Sequence, residues 1–209
     1  MNNILNLFPI KIYKTQYANV EIIKNNLFPK LVDTFQQTES NNVESMQSGT
    51  LCTYFTNSLL QNFPETEDLV KFAEEHANNY WKELKYSNLL EPKVIQIWAN
   101  ETPNTGWVRS HIHGSIPLTG VLYVNAGPGM GNLVIENPLD SILSSQPMDY
   151  KEQELLHQEI EVTTGDFIIF PGWIRHHVKP NTTNEKRLIL GVNFGSTGSY
   201  VTGQWINKV

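Results

Sequence analysis

The chain has 209 residues, a net charge of −6 at pH 7, 40% hydrophobic residues and 17% charged residues. This length is enough for one domain with a sizeable core, so residues 1–209 are predicted to form a single domain. The acidic balance disfavours a general nucleic-acid-binding protein, which meets phosphates with a basic surface. No apolar run approaches the roughly 18 residues of a membrane-spanning helix.

The cellular location is predicted from two features of the sequence. The N-terminus lacks the basic start and long apolar run of a signal peptide. The single cysteine, Cys52, has no partner for an internal disulfide, which is typical of a reducing compartment. Together these features predict a cytoplasmic protein.

Residues 1–92 are predicted to form an N-terminal strand followed by helices. Segment 8–17 alternates apolar and polar residues, as a half-buried strand does. Apolar residues then recur at spacings of three and four over 18–37, a helical stripe interrupted at Pro29. A second helical stripe follows Pro64 and carries His76, for which packing is a far commoner role than metal binding. We predict that this part supports the rest of the chain as a helical buttress.

Residues 93–209 are predicted to form a β structure. Short apolar runs alternate with turns rich in Gly, Pro and Asn, which favours an all-β sandwich or barrel. The connections are too short for regular crossover helices, so a parallel α/β sheet is disfavoured. The last of these runs, SYVTGQWI, is also predicted to be a strand. The polar segment 138–156 is predicted to be a surface insertion with a short helix, either a binding loop or a tolerated insertion.

Four of the six histidines occur as two close pairs. His111 and His113 are two residues apart, so on a strand both imidazoles point to the same face. His176 shares its strand parity with an apolar valine, whereas His177 shares it with a lysine. His176 is therefore predicted to point inward and His177 toward water. Three inward imidazoles suit zinc, copper, iron or nickel, whereas the first pair alone is equally well explained as polar loop residues.

Arg187 begins the run RLILGVNF, in which strand alternation separates Arg187, Ile189, Gly191 and Asn193 from four apolar side chains. An arginine on the inner face of a barrel requires an anion, because a buried unpaired charge is costly. Its planar guanidinium matches a carboxylate with two parallel hydrogen bonds. The alternative is a solvent-exposed arginine beside Glu185.

Residues 93–195 resemble the iron(II)/2-oxoglutarate-dependent oxygenases, including the prolyl hydroxylases, whose core is a double-stranded β-helix (jelly roll). The resemblance rests on the order and spacing of four pieces: HIHGSIPLTGVLYV, GNLVIENP, TTGDFIIFPGWIRHHVKPN and RLILGVNF. It implies a mainly β, cupin-like barrel supported by the N-terminal helices.

The resemblance also implies the roles of five residues. His111, His113 and His176 would bind iron(II), and Arg187 would bind the distal carboxylate of 2-oxoglutarate, with Tyr123 as a second hydrogen-bond partner. No catalytic residue is implied beyond the metal ligands.

Two positions depart from the pattern of the superfamily. His113 stands where a carboxylate is usual, and Glu101 and Glu136 are the candidates to supply one from elsewhere, although neither has the expected position. Ile189 stands where a hydroxyl residue often follows the arginine by two positions. The co-substrate is therefore expected either to bind more weakly or to depend on other hydrogen-bond donors.

The activity that the resemblance implies is that of a dioxygenase, which uses iron(II), 2-oxoglutarate and O2 to hydroxylate or otherwise oxidise a substrate. The substrate is predicted to be a small molecule or a protein side chain, and neither a nucleic acid nor a membrane is expected as a partner. Trp107, Trp173 and segment 138–156 either shape the substrate entrance or belong to ordinary packing.

Two other functions remain open at this stage. The first is a cupin-type protein that binds zinc, manganese, iron or nickel without 2-oxoglutarate. Cupins usually place a glutamate shortly after the HxH motif, and the segment GSIPLTG contains none. The second is a non-enzymatic jelly-roll binding module, which the fold alone also permits.

Overall fold

The computed structural model of the chain describes residues 9–35, 47–54, 56, 60–147 and 156–197. Within these residues the strands form two antiparallel sheets that face each other. The six-stranded major sheet has the order β1 (Tyr13–Gln16), β9 (Asp166–Pro171), β6 (Leu118–Asn125), β11 (Arg187–Ser196), β4 (Pro92–Thr102) and β3 (Leu51–Cys52). The five-stranded minor sheet has the order β2 (Gln47–Ser48), β5 (Trp107–His111), β10 (His176–Val178), β7 (Leu133–Glu136) and β8 (His157–Ile160). The predicted mainly β architecture is confirmed.

The N-terminal helical region is more broken than the predicted stripe over 18–37. It begins with α1 (Val20–Ile22), continues as a π-helical turn (Ile23–Leu27) and then as a 3-10 turn (Phe28–Leu31). Pro29 lies in this last turn. Because proline has no N–H to donate to the carbonyl four residues before it, it interrupts α-helical pairing at this point. The preceding strand is also shorter than predicted, since β1 covers Tyr13–Gln16 rather than the whole of 8–17.

The long helix α2 (Glu67–Glu83) follows two short 3-10 turns, Leu60–Asn62 and Pro64–Thr66. Its apolar face packs with the N-terminal turns against the outer face of the major sheet, where they form one buried cluster with strands β4, β6, β9 and β11. His76 contacts this cluster, with its Nδ1 2.8 Å from the hydroxyl oxygen of Tyr13. The predicted packing role of this histidine is therefore confirmed.

The inner faces of the two sheets enclose a second buried cluster. It is formed by side chains of β6, β7, β9 and β11, including Phe170, Ile135 and Tyr123. Alternation on β11 follows the prediction, because Leu188, Leu190, Val192 and Phe194 pack outward while Arg187 and Ile189 face the space between the sheets. That space is the position of the candidate site.

The structure describes part of the predicted insertion 138–156 and none of the predicted strand SYVTGQWI. The predicted insertion 138–156 contains a short helix, α3 (Asp140–Leu143), and residues 148–155 of it lie outside the described residues. The predicted strand SYVTGQWI begins at residue 199 and also lies outside them. Among the described helices, none is both long and apolar enough to cross a membrane.

Candidate metal centre and anion site

The structure brings His111, His113 and His176 together at one end of the space between the sheets. Their potential ligand nitrogens all lie within 4.8 Å of one another. The ring of His111 is 4.2 Å from that of His176, centroid to centroid, and the ring of His113 is 5.2 Å from both. His176 is only 3% exposed. Three imidazoles at this spacing can bind one metal ion.

Two of these histidines are positioned by strand pairing in the minor sheet, and the third by a loop hydrogen bond. His176 begins β10 and lies directly opposite His111, the last residue of β5. The register between the two strands shifts before the next pair, which indicates a bulge in β5. His113 lies beyond the end of β5, where its backbone N–H donates to the carbonyl of Gly172 at 2.8 Å. The HxH pair is therefore positioned by a strand end and a loop, rather than by strand alternation alone.

Backbone hydrogen bonds orient two of the three rings. The Nδ1 atom of His111 lies 2.7 Å from the carbonyl oxygen of Arg109, and the Nδ1 atom of His176 lies 3.0 Å from that of Ile174. A carbonyl oxygen only accepts hydrogen bonds, so Nδ1 carries the proton in both rings and Nε2 keeps its lone pair. This is the tautomer that binds a metal through Nε2.

The surroundings of the three histidines favour the uncharged imidazole. Burial lowers the pKa of His113 to about 3, with a smaller effect from the charge of His111. Burial also lowers the pKa of His176 well below its usual value, and it lowers the pKa of His111. Since a metal binds only the deprotonated nitrogen, all three rings are in the ligating form at neutral pH.

The carboxylates considered from the sequence lie elsewhere. Glu136 accepts a hydrogen bond from His177, whose Nδ1 is 2.8 Å from its carboxylate oxygen, and Glu101 pairs with Lys186. The prediction for His177 is only partly right, since this side chain points away from the three clustered histidines but is paired with Glu136 rather than freely solvated. In the part of the chain that the structure describes, the cluster therefore contains three neutral ligands and no acid.

Arg187 lies on the other side of the same space, at the start of β11. It is 1% exposed, so the predicted alternative of a solvent-exposed strand-end arginine is wrong. Its Nη1 donates to the carbonyls of Met130 (3.2 Å) and Gly131 (2.8 Å), and its Nη2 donates to the Thr102 hydroxyl (3.1 Å). Its Nε is buried without a hydrogen-bond partner, and no described carboxylate pairs with it. A buried cation in this state is a site for an anion.

Two residues that hold Arg187 were missed from the sequence. Thr102 lies directly opposite Arg187 on β4 and offers the hydroxyl that Ile189 does not. Gly131 has φ +91°, and a Cβ there would lie 2.7 Å from Nη1 of Arg187 and closer still to the carbonyl of Lys179. Glycine is thus required for the guanidinium to reach the carbonyls of this turn. The two closely spaced glycines of the segment GMG were the available sequence signal for such a turn.

Replacing Gly131 with alanine is expected to lower the free energy of unfolding by about 1–3 kcal/mol, because the added methyl group is strained and displaces the guanidinium. Chemical denaturation measures this change. Gly127→Ala is the matched control, since an added Cβ at Gly127 meets nothing within 4 Å, and its effect should stay within about 0.5 kcal/mol. Equal effects of the two substitutions would show that the close approach to Arg187 does not constrain Gly131.

Tyr123 lines the same cavity as Arg187. It lies on β6 opposite Ile189, is 1% exposed, and has a buried hydroxyl with no hydrogen-bond partner among the described residues. Burial raises the pKa of this phenol above its usual value, whereas the charge of Arg187 acts in the opposite direction. The hydroxyl is therefore protonated at neutral pH and can donate to an anion beside Arg187.

One cavity of about 280 Å³ connects the histidines with Arg187. Its lining includes the three histidines, Arg187 and Tyr123 together with Tyr54, Trp98, Asn100, Val108, Ile112, Val121, Leu133, Val178 and Ile189. Trp107 and Trp173, the candidate entrance residues, are not part of this lining. Trp173 is 50% exposed, and Trp107 stacks under the Arg109 guanidinium at 5.9 Å.

Trp98 forms the wall of the cavity nearest to His113, with 5.7 Å between the two ring centroids. Its indole covers Gly191 of β11, so closely that a Cβ on Gly191 would lie 2.6 Å from Cη2 of the ring. The ring of Tyr54 meets Trp98 edge-on at 5.1 Å. Only glycine at position 191 leaves room for this tryptophan beside the histidines.

Two antiparallel sheets hold three histidines and a buried arginine around one cavity, an arrangement that could hold a metal ion and an anion together inside a β barrel. Residues 96–193 match the family described as "Putative 2OG-Fe(II) oxygenase". This segment contains all five predicted site residues and is similar to that family, and the prediction of an iron(II)- and 2-oxoglutarate-dependent oxygenase is thereby confirmed. The family description also names the two cofactors predicted from the sequence.

Solved structures agree with this assignment in their fold. The prolyl-4-hydroxylase of Pseudomonas putida superposes with a TM-score of 0.56 at 13% identity, over 88% of this chain and 92% of the other. AviO1 of Streptomyces viridochromogenes Tue57 gives 0.58 at 13% identity, over 88% and 89%. HygX of Streptomyces hygroscopicus, solved with nickel, 2-oxoglutarate and hygromycin B bound, gives 0.56 at 10% identity, over 89% and 83%. The predicted double-stranded β-helix is confirmed. No curated protein matches the chain by sequence.

Proposed function

We propose that His111, His113 and His176 hold the iron(II) of this oxygenase, and that Arg187 and Tyr123 bind the distal carboxylate of 2-oxoglutarate. The substrate is a small molecule or a protein side chain that is oxidised at an aliphatic C–H bond. The observation that carries the proposal is the buried Arg187, which has no carboxylate partner among the described residues and shares one cavity with the three histidines.

The histidine cluster fits a divalent metal in both its chemistry and its spacing. Imidazole suits iron as well as zinc, copper and nickel, and three protein ligands leave coordination positions open for a co-substrate and O2. The two rings with protonated Nδ1 direct Nε2 toward the shared position. The fold family favours iron(II) among these metals.

The opposite end of the cavity fits a carboxylate. Among the described residues, neither the Nε–H of Arg187 nor the hydroxyl of Tyr123 has a hydrogen-bond partner. A carboxylate at this position would accept from both groups and would neutralise the guanidinium. Because the two groups are nearly fully buried, their attraction for an anion is screened much less than at a surface. A dicarboxylate with one free end is therefore the expected ligand.

The residues of the chain act by binding and orientation. Arg187 and Tyr123 fix one end of the co-substrate, so that its other end is presented toward the histidines. Thr102 and the carbonyl of Gly131 hold the guanidinium in place. When bound, iron(II) and 2-oxoglutarate activate O2, with one oxygen atom oxidising 2-oxoglutarate to succinate and CO2 and the other entering the substrate. Apolar walls such as Val108 and Leu133 keep water away from this chemistry.

The substrate is expected to meet Trp98 and Tyr54 first. These rings lie at the histidine end of the cavity, and Ile112, which is 44% exposed, lies at its rim. Aromatic and aliphatic walls bind apolar parts of a ligand, which supports an aliphatic carbon as the reacting position. The acidic net charge of −6 gives no support to a nucleic-acid substrate.

The two other functions are less well supported. A cupin-type protein that does not bind 2-oxoglutarate would not require a buried arginine without a described carboxylate partner beside the three histidines. A non-enzymatic binding module explains neither this arginine nor three histidines oriented toward one point. The family match also favours the oxygenase.

Two further assignments stand as proposals. The chain is proposed to form one domain, which is supported by the buried cluster that joins α2 to the major sheet. A cytoplasmic location is supported by Cys52, the single cysteine of the chain, which has no second cysteine for an internal disulfide.

Anaerobic titration of 2-oxoglutarate into the iron(II)-loaded protein tests the proposal directly. We expect a saturable visible charge-transfer band, because the oxo acid binds the metal through its keto and carboxylate oxygens. Iron binding without the band would support the cupin-type alternative. Failure of the protein to bind iron(II) at all would overturn the metal assignment and leave the histidines with a structural role.

A further inference from the structure

The outer face of the minor sheet holds a buried carboxylate behind the strands that carry the histidines. Glu136, the last residue of β7, is only 7% exposed. Its carboxylate accepts a hydrogen bond from Nδ1 of His177 at 2.8 Å and another from the hydroxyl of Ser110. In the described part of the chain, no lysine or arginine forms an ion pair with it. Because a buried charge without a counterion is costly, this carboxylate indicates a cation nearby.

Strand pairing brings Glu136 close to two of the proposed iron ligands. The residue before it, Ile135, lies directly opposite His176, which in turn lies opposite His111. Ile135 packs between the two sheets, so strand alternation turns Glu136 to the outer face of the minor sheet. A single residue along β7 therefore separates Glu136 from the row that contains both ligands.

The two hydrogen bonds of Glu136 reach the neighbours of these ligands. Ser110 precedes His111 on β5, and His177 follows His176 on β10. One carboxylate thus joins three strands of the minor sheet, at the positions where two of those strands present an imidazole to the inner face. These contacts hold the two ligand-bearing strands at their present separation.

The charge of Glu136 also acts on the ligand position. Burial raises the pKa of Glu136, but the hydrogen bonds from Ser110 and His177 outweigh it and hold this pKa below its usual value, so the group is ionised at neutral pH. Burial is the largest influence on the pKa of His111 and lowers it, whereas the negative charge of Glu136 raises it. Arg175 acts on His111 in the opposite direction and more weakly. A divalent cation bound by His111 would feel the same attraction to Glu136.

We propose that Glu136 supplies, from outside the ligand set, the negative charge that three neutral histidines lack, and that this charge strengthens the binding of iron(II). The inference rests on the proposed function, since it presumes that the three histidines hold iron(II). Glu136 is a positioning residue, because it is not part of the cavity lining and acts through the neighbours of the ligands. Its burial limits the screening of its charge by water.

Competition against a chelator of known affinity, under anaerobic conditions, tests this role. Glu136→Gln keeps a hydrogen-bond acceptor of nearly the same shape for His177 but removes the charge. We expect it to weaken iron(II) binding about 10- to 100-fold, the usual effect of losing a residue that supports a metal ligand. The Fe(III)/Fe(II) reduction potential should also rise, because the lost negative charge stabilises Fe(III) more than Fe(II). A loss of packing alone does not predict this rise.

Glu159→Gln is the matched control for the loss of a carboxylate. Glu159 lies on the same face of the minor sheet, opposite Val134 on β7, but its charge is paired with that of Lys179. A surface ion pair of this kind contributes little to its surroundings. The substitution should therefore leave the affinity for iron(II) within about twofold.

Arg175→Gln tests the sign of the effect and does not depend on the folding of the Glu136 variant. The carbonyl of Arg175 accepts a hydrogen bond from the backbone N–H of Glu136 at 2.9 Å, and its exposed guanidinium acts on His111 with a positive charge. Removing this charge should tighten iron(II) binding. The factor should be smaller than the loss in Glu136→Gln, because solvent screens an exposed charge.

The outcomes separate this inference from the proposed function. If the wild-type protein does not bind iron(II), the metal assignment of the proposed function fails, and this inference fails with it. If the wild type binds and Glu136→Gln keeps its affinity and potential, the role of Glu136 is refuted while the three-histidine centre stands. Equal losses in Glu136→Gln and Glu159→Gln, or weaker binding in Arg175→Gln, would also refute it. If Glu136→Gln does not fold, unchanged or weaker binding in Arg175→Gln is sufficient to refute it.

Discussion

Replacing His176 with alanine is expected to abolish stoichiometric iron(II) binding. The imidazole of His176 is buried, oriented by the Ile174 carbonyl and in contact with both other rings. The loss of a direct ligand should exceed the roughly 10- to 100-fold loss of affinity caused by removing a residue that only supports a ligand. Competition against a chelator of known affinity measures the dissociation constant.

The neighbouring histidine provides the control for this substitution. His177 has the same chemistry and adjoins His176, but it points to the outer face of the minor sheet, where it pairs with Glu136. His177→Ala should therefore change the affinity for iron(II) only a few-fold. If His177→Ala abolishes binding and His176→Ala does not, the inward assignment of His176 is wrong.

Replacing Arg187 with alanine is expected to weaken 2-oxoglutarate binding by about 30- to 5000-fold. This range corresponds to the roughly 2–5 kcal/mol that follows truncation of one partner of a buried charge pair. Iron(II) affinity should change little, because Arg187 lies on the major sheet and the three histidines belong to the minor sheet or its adjoining loop. Titration of each variant with metal first, and then with 2-oxoglutarate, measures the two affinities separately.

Arg187→Lys distinguishes charge from geometry in this prediction. Lysine keeps the positive charge but lacks the planar fork that donates to Met130, Gly131 and Thr102 at once. We expect an affinity between those of the wild type and Arg187→Ala. Wild-type affinity in both variants would mean that the anion site of the cavity is not formed by Arg187.

Strand alternation predicted the direction of His176 better than it predicted the surroundings of the three histidines. The inward direction of His176 followed from one apolar neighbour, because strand alternation is a local property. The same argument was incomplete for His113, which lies beyond the end of β5 in a loop held by Gly172. Local alternation does not indicate where a strand ends. His111 and His113 do lie together, but alternation on one strand does not explain the position of His113.

The partners of Arg187 show why the rest of the site was missed. Thr102 is 85 residues away along the chain, and Gly131 is 56 residues away. Their contacts depend on the pairing of β4 with β11 and on the turn before β7, which a single sequence does not define.

The N-terminal region was the least well predicted part of the described chain. The apolar spacing over 18–37 predicted one interrupted helix, whereas the chain passes from an α-helical to a π-helical turn and then to a 3-10 turn that ends at Leu31. These turns differ only in which carbonyl each N–H reaches. Packing against the major sheet, rather than local propensity, selects among them.

The division of the site between two sheets has a consequence for the stability of the protein. The three histidines belong to the minor sheet or its adjoining loop, whereas Arg187 and Tyr123 belong to the major sheet. A single ligand held at both ends therefore cross-links the two halves of the barrel. At 100 times its dissociation constant it should add about 2.7 kcal/mol to the free energy of unfolding. Amide exchange should then slow in both sheets, including in strands such as β8 that contribute no residue to the cavity.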